Sequence, residues 1–410
     1  MRKLIKETAS YVVFNYASQA LLIARGFLLI TILTPVSLGI YKLLFTYVSY
    51  FRYYNLGLNA LAFYRAPPRK MQASYGFLLR KINLTLAWSL GLLFTLIFAI
   101  LWWDALSSDS TRDYILWIFL ILYFSQMAET YLTIAKVNKA FATINRYNVA
   151  FAVVSTVSMV VLGYFWQLRG VIVGLTLSTI VTSAYLTGKL GKGVRYSIRL
   201  TRWKIKNLFK HSLTTILPGM FIVLFTTVEI WIIAFRFGAA ETGYYSVVAT
   251  FVSIVLMLNT DGVVLLYSKR SQNFRRQPGF VLNVTAIAFF VIASVCFAGI
   301  IIVPKIIEMF FPDYLRASAI YLLCFWGIPF LVARNIVVSY ISQNRSIFIS
   351  TILAALLVTK SALLLLVQTS AFYLGLAATN AAFAVVLIMV YVLDRQRAFN
   401  GKQNAKNGIT

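Results

Sequence analysis

RGFLLITILTPVSLGIYKLLFTYVSYFRYYNLGLNALAFYR, running from Arg25 to Arg65, joins the end of one long apolar segment to a second through a short turn at Thr34-Pro35. Each segment exceeds the roughly 20 residues that carry a helix across a hydrocarbon core about 30 Å thick. The second closes on a basic cluster that begins at Arg65. Two cations, Arg25 and Arg52, stand where hydrocarbon should be. Inside a bilayer the backbone must satisfy its own hydrogen bonds, and apolar segments of this length do so as helices.

The rest of the chain extends this reading. Of 410 residues, 60% are hydrophobic and only 12% charged. Soluble domains carry about a quarter charged residues, so the composition is that of an integral membrane protein. A net charge of +27 would suggest nucleic acid in a soluble protein. Here the charge sits in short connections between apolar segments, where it reports membrane orientation instead, and no nucleic-acid partner is expected. The two cysteines, Cys296 and Cys324, lie inside apolar segments and suggest neither a disulfide framework nor a metal site. No cleavable leader is expected, because the first apolar run is long and is followed at once by another.

Twelve transmembrane helices are predicted, at about 10–33, 38–63, 77–102, 114–136, 146–166, 170–188, 212–235, 241–267, 280–303, 317–342, 347–367 and 371–393. With the N-terminus inside, 28 of the 38 basic residues fall on the cytoplasmic side and five on the other. Such a bias predicts a multi-pass membrane protein with both termini cytoplasmic. The most basic connection, 189–211, separates a half at 1–188 from a half at 212–393, and a polar cytoplasmic tail follows at 394–410. Residues 200–209 of that linker can be read as positive-inside charge alone or as an interfacial helix lying on anionic lipids.

The halves repeat. At an offset of 204 residues, Leu38-Gly39-Ile40-Tyr41 meets Thr242-Gly243-Tyr244-Tyr245, Arg65 meets Lys269, and Asp109 and Arg112 meet Asp313 and Arg316. Two six-helix halves of the same topology predict parallel repeats about an axis along the membrane normal, enclosing a central cavity, as in transporters.

Eight ionisable side chains fall within predicted spans: Arg25, Lys42, Arg52, Glu129, Glu229, Asp261, Arg334 and Lys360. A charge at mid-bilayer is costly, so such residues normally face a bundle interior or a water-filled cavity. Lys42 lies four residues inside its span and can snorkel, and Asp261 can cap or pair near its helix end. Arg25, Arg52 and Lys360 lie near the midplane, and Arg334 and Glu129 fall on the corresponding tenth and fourth spans, where they can form a structural salt bridge. Glu229 is the repeat equivalent of Arg25. The two can pair across the cavity, or each can satisfy itself locally against Asn15, Gln19, Thr226 or Thr227. Arg25, Arg52, Lys360 and Arg334 are therefore the candidate substrate-binding residues, and Glu229, Glu129 and Asp261 the candidate coupling or charge-pair residues. Pro218-Gly219 and Pro329 can interrupt helices and supply bending points. There is no P-loop, no catalytic or metal-binding motif and no long connection, so no cofactor and no enzymatic activity are expected.

LTPVSLGIY at 33–41, NLGLNALAFYR at 55–65, FGAAETGYYSVVA at 237–249 and IIEMFFPDYLRAS at 306–318 resemble the polysaccharide (O-antigen and lipid-linked oligosaccharide) flippase family of the multidrug/oligosaccharidyl-lipid/polysaccharide exporter superfamily. The resemblance implies flipping of undecaprenyl-diphosphate-linked sugar units from the cytoplasmic to the external leaflet by alternating access, with Arg25 and Arg52 in a cationic central cavity. It implies polyprenyl-diphosphate-linked sugars, polysaccharide polymerase and glycosyltransferases as partners, and a place in the bacterial inner (plasma) membrane. Glu229 departs from a purely cationic cavity. The chemistry agrees with the resemblance: a diphosphate crossing a low-dielectric barrier needs fixed cations, and arginine's fork suits phosphate. The alternative is a cation-coupled drug or metabolite exporter of the same fold, which would draw on the acids Glu129, Glu229 and Asp261.

Overall fold

The computed structural model describes residues 2–50, 114–137, 140–190, 223–225, 227–255, 280–344, 346–368 and 371–407, with isolated positions at 96, 217, 220 and 221. All regular structure among them is helical. Eight of these helical stretches are long and apolar enough to cross a membrane. The protein is an all-α integral membrane protein. Arg52, Asp261, Pro218-Gly219 and linker residues 191–211 lie outside the described residues.

Contacts divide the chain into two units, Met1–Gly243 and Tyr244–Thr410. The first opens with α1 (Arg2–Ile32) and α2 (Pro35–Tyr50). The expected turn between them is built by Thr34 and Pro35. Thr34 Oγ1 accepts from the Ser37 N–H at 3.3 Å, the Leu38 N–H donates to the Thr34 carbonyl at 2.8 Å, and Pro35 opens α2, where no N–H is needed. α3 (Tyr114–Val137) follows, then α4 (Phe141–Leu190). Residues 142–189 of α4 form an apolar run that as a straight rod would span about 70 Å, more than twice the hydrocarbon core. It cannot stay straight. At Gln167 the backbone leaves the helical region (φ 47, ψ −128), and the two arms turn back on each other. The exposed rings of Tyr164, Phe165 and Trp166 gather at this bend, as aromatic residues do at a membrane–water boundary.

Small residues let the two arms of α4 pack backbone to backbone. Ser158 Oγ donates to the Gly174 carbonyl at 2.9 Å, and a Cβ at Gly170 would overlap the carbonyl of Leu162. In lipid, helices gain no hydrophobic drive to associate, so close backbone approach and interhelical hydrogen bonds hold them instead. Gly170→Ala should therefore destabilise the folded protein by about 1–3 kcal/mol, since backbone cannot yield as a side-chain tip would. Chemical denaturation in detergent measures it, and unchanged stability would show that the arms are not tightly seated. Helical residues 227–255 form α5, which also bends where two spans were expected to meet, at Gly238 (φ 85). At the α2 and α5 ends of these spans the chain crosses itself. A Cβ at Gly39 would overlap the Ala239 carbonyl, and one at Gly243 would overlap the Pro35 carbonyl.

The second unit contains α6 (Phe280–Phe310), α7 (Leu315–Cys324), α8 (Ile328–Asn344), α9 (Ser346–Leu366) and α10 (Phe372–Asn407). The predicted tenth span is broken: a tight turn at Phe325–Gly327 separates α7 from α8, two residues before Pro329. Proline has no N–H to give and its ring clashes with the carbonyl four residues back, which is Phe325. α6 runs seven residues past its predicted end, through Pro304, and α10 continues as helix through the polar segment to Asn407. In both units the usual arrangement of a soluble protein is reversed. Ser155, Thr176, Ser178, Thr182 and Ser183 are buried, while Phe290, Phe297, Val358 and Leu366 are exposed. Acyl chains are as apolar as leucine, so the outside can be greasy while polar groups are kept for contacts between helices.

Candidate functional site

The first unit places an arginine deep among its helices. Arg25, three-quarters of the way along α1, is only 7% exposed. α1 and α4 pack along much of their lengths, and Arg25 Nη1 donates to Ser155 Oγ on the first arm of α4 at 2.9 Å. Ser155 is fully buried, and its hydroxyl donates in turn to the Ala152 carbonyl at 3.3 Å. Arg25 is also close enough to Tyr41 and Lys42 of α2 for its charge to act on both. Tyr41 is buried and Lys42 half-buried. Two cations thus lie within electrostatic range of one another on neighbouring helices. Lys42 can be read from sequence as a snorkelling side chain, and its approach to Arg25 is invisible there.

Three acids of this unit also lie inside. Glu229 on α5 is buried at 4% exposure, and Glu241, at the start of the predicted eighth span, is buried as well. Glu129 on α3 is half-buried, and its backbone carbonyl accepts from Thr133 Oγ1 at 2.9 Å. Arg25's hydrogen bond to Ser155 is one that neither of the two sequence readings, a Glu229 pair or local polar groups, includes.

In the second unit Lys360 of α9 is wholly buried and donates through Nζ to Asn380 Oδ1 of α10 at 3.0 Å. Arg334 of α8 is buried at 2% exposure, and its Nε and Nη2 both donate to Asn335 Oδ1, at 3.3 and 3.1 Å. Among the described residues of this unit the buried Lys, Arg, Asp and Glu side chains are these two, both cations. Across residues 262–393 the only acids are Glu308 and Asp313, both exposed. The site residues therefore fall into two groups, Arg25, Lys42, Glu129 and Glu229 in the first unit and Arg334 and Lys360 in the second. No group of His, Cys, Asp and Glu able to hold a metal occurs among the described residues.

The fold has counterparts among solved transporters. It aligns with an inward-facing multidrug resistance MATE family transporter of the MOP superfamily at TM-score 0.66 and 13% identity, covering 97% of this chain and 99% of that one. It aligns with the lipid II flippase MurJ, in an inward closed conformation, at TM-score 0.68 and 13% identity, over 94% and 87% of the two chains. The fold is that of the MOP-superfamily transporters. A MOP transporter from Pyrococcus furiosus, reported with a binding pocket of reversed polarity, aligns at TM-score 0.57 and 12% identity over 95% of each chain. No protein-family model matches the sequence, and no curated protein matches it either. At these identities the MOP likeness carries the architecture; the substrate has to be argued from the residues of this chain.

Proposed function

We propose that this chain is a flippase that moves an undecaprenyl-diphosphate-linked oligosaccharide from the cytoplasmic to the external leaflet by alternating access. One observation carries the reading: a buried guanidinium, Arg25, lies within electrostatic reach of a second cation, Lys42, in a membrane-spanning bundle. Like charges at that depth repel and are poorly solvated, and an anion bound between them relieves both costs. A lipid diphosphate supplies about two negative charges on oxygens that arginine can grip in pairs. The buried cations of the second unit, Arg334 and Lys360, support the same sign of cargo. The MurJ-like architecture supports a lipid-linked cargo in particular.

The burial of Glu229 and Glu241 favours a second reading, cation-coupled export of a drug or metabolite on the same fold. One experiment separates the two. Deleting the gene in its host and probing each leaflet for lipid-linked oligosaccharide should reveal the oligosaccharide trapped on the cytoplasmic face. Normal delivery to the outer leaflet, with heightened sensitivity to organic cations, would favour the exporter.

Within the flippase reading, Glu229 is the proton-coupling group. A buried carboxylate is expensive while charged, so a proton taken from outside can neutralise Glu229 during the cycle. Glu229→Gln should bind substrate yet flip it at a rate indifferent to an imposed pH difference. Reconstituted vesicles with and without that difference provide the measurement. A variant responding to the gradient as the parent does would place the coupling elsewhere.

A further inference from the structure

We propose that Ser155 is a positioning residue that holds Arg25 in place without neutralising it, so that the Nε–Nη2 edge of the guanidinium is presented at full charge to one phosphate of a lipid diphosphate. The inference rests on the flippase reading above and assigns a role within that site.

Three features lead to it. The contact is long-range and enclosed, joining residues 130 positions apart, with Ser155 fully buried and Arg25 nearly so. The hydroxyl has a fixed polarity. Its proton goes to the Ala152 carbonyl, which leaves a lone pair on Oγ for Nη1 of Arg25. Among the described residues, the hydrogen bonding of Arg25 is confined to Nη1. What remains is the Nε–Nη2 side, the pair of parallel donors that fits two oxygens of one phosphate.

The chemical identity of the holding group matters as much as its place. A carboxylate at position 155 would accept the same bond and fix the same rotamer. It would also cancel most of the arginine's field at the depth where a diphosphate needs it. A serine fixes the geometry and leaves the charge intact. Lys360 and Arg334 also donate to neutral oxygens, those of Asn380 and Asn335.

The test uses the full-length protein in lipid nanodiscs, with undecaprenyl diphosphate as the probe and the thermal unfolding midpoint as the folding control. Ser155→Ala frees the arginine and should raise the Kd about tenfold, the scale of one hydrogen bond to a charged group. Ser155→Thr keeps the hydroxyl and should bind within about threefold of the parent. Ser155→Asp should bind worst of the three, although it preserves a hydrogen-bond acceptor at the same position. A purely structural serine would instead give affinities that follow the unfolding midpoints, and that result overturns the proposal. So does a Ser155→Asp protein that folds and binds like the parent. If the buried aspartate prevents folding, the Thr-against-Ala comparison decides: equal affinity of the two sinks the idea, and tighter binding by Thr sustains it. Failure of the parent itself to bind undecaprenyl diphosphate refutes the flippase reading, and this role with it; parent binding that is lost in Arg25→Ala but indifferent to position 155 refutes the role of Ser155 alone.

Discussion

Replacing Arg25 by alanine should abolish delivery of lipid-linked oligosaccharide to the outer leaflet while leaving the protein folded in the membrane. The guanidinium lies at 7% exposure, fixed by Ser155 and within reach of Lys42. Each charge-assisted hydrogen bond to phosphate contributes about 1.5–3 kcal/mol, so losing a bidentate pair weakens anion binding by roughly a hundredfold to ten-thousandfold. The fold should tolerate the change, since removing a buried cation also removes its desolvation cost. Arg25→Lys should retain part of the activity, because it restores the charge but not the paired donors. Complementation of a deletion strain, scored beside a size-exclusion profile of the purified variant, provides both readings. Export at the parental level by the alanine variant would remove Arg25 from the anion path.

The second large effect is expected at the crossing of the α2 and α5 ends. Valine at Gly39 or at Gly243 should stop transport and lower the unfolding midpoint, with alanine giving a milder version of both. At each position a new Cβ would enter the space of a carbonyl, that of Ala239 or of Pro35. Carbonyls in helical segments have no rotamer through which to escape, so the segments must separate. Ordinary overpacking costs about 1–3 kcal/mol, and a backbone obstacle belongs at the upper end of that range or beyond. Under the proposed flippase function, segments forced apart here lose transport as well as stability. Transport assays on Gly39→Val and Gly243→Val, at a temperature where both remain folded, isolate that loss. Parental turnover in either would mean that this close approach is incidental to the cycle.

Much of the architecture is legible in the sequence because lipid imposes simple rules. Segment length, the Thr34-Pro35 turn, the bend between the fifth and sixth spans and the interruption before Pro329 all follow from backbone hydrogen bonding in a medium without water. The end of the last helix was less legible. Residues 394–407 are polar but include good helix formers such as arginine, glutamine, alanine and lysine, so the helix outlasts the hydrophobic signal that marked its span.

The site was half legible. Arg25 stands out as a cation in an apolar run, but Ser155 does not, and the reason is physical. Serine and threonine in membrane helices usually bond a carbonyl one turn back, as Thr176, Thr182 and Thr359 do here. Sequence cannot distinguish a hydroxyl satisfied in that way from one that also reaches a distant arginine. That depends on which face of α4 meets α1, and the apolar pattern of a helix in lipid does not encode it. Lys42 was hidden for the same reason: its depth was readable, its neighbour was not.

The crossing at Gly39 and Gly243 also bears on ancestry. Adding the repeat offset of 204 carries Pro35 to Ala239 and Gly39 to Gly243. The contact of Gly39 with Ala239 is thereby converted into the contact of Gly243 with Pro35, its own mirror in the repeat. A patch that meets its own copy in this reciprocal way is the mark of an isologous two-fold interface. The two helix ends touch as equivalent positions of two identical subunits would. If the halves arose by duplication, one small residue at that position of the repeat served both close approaches of an ancestral two-fold pair.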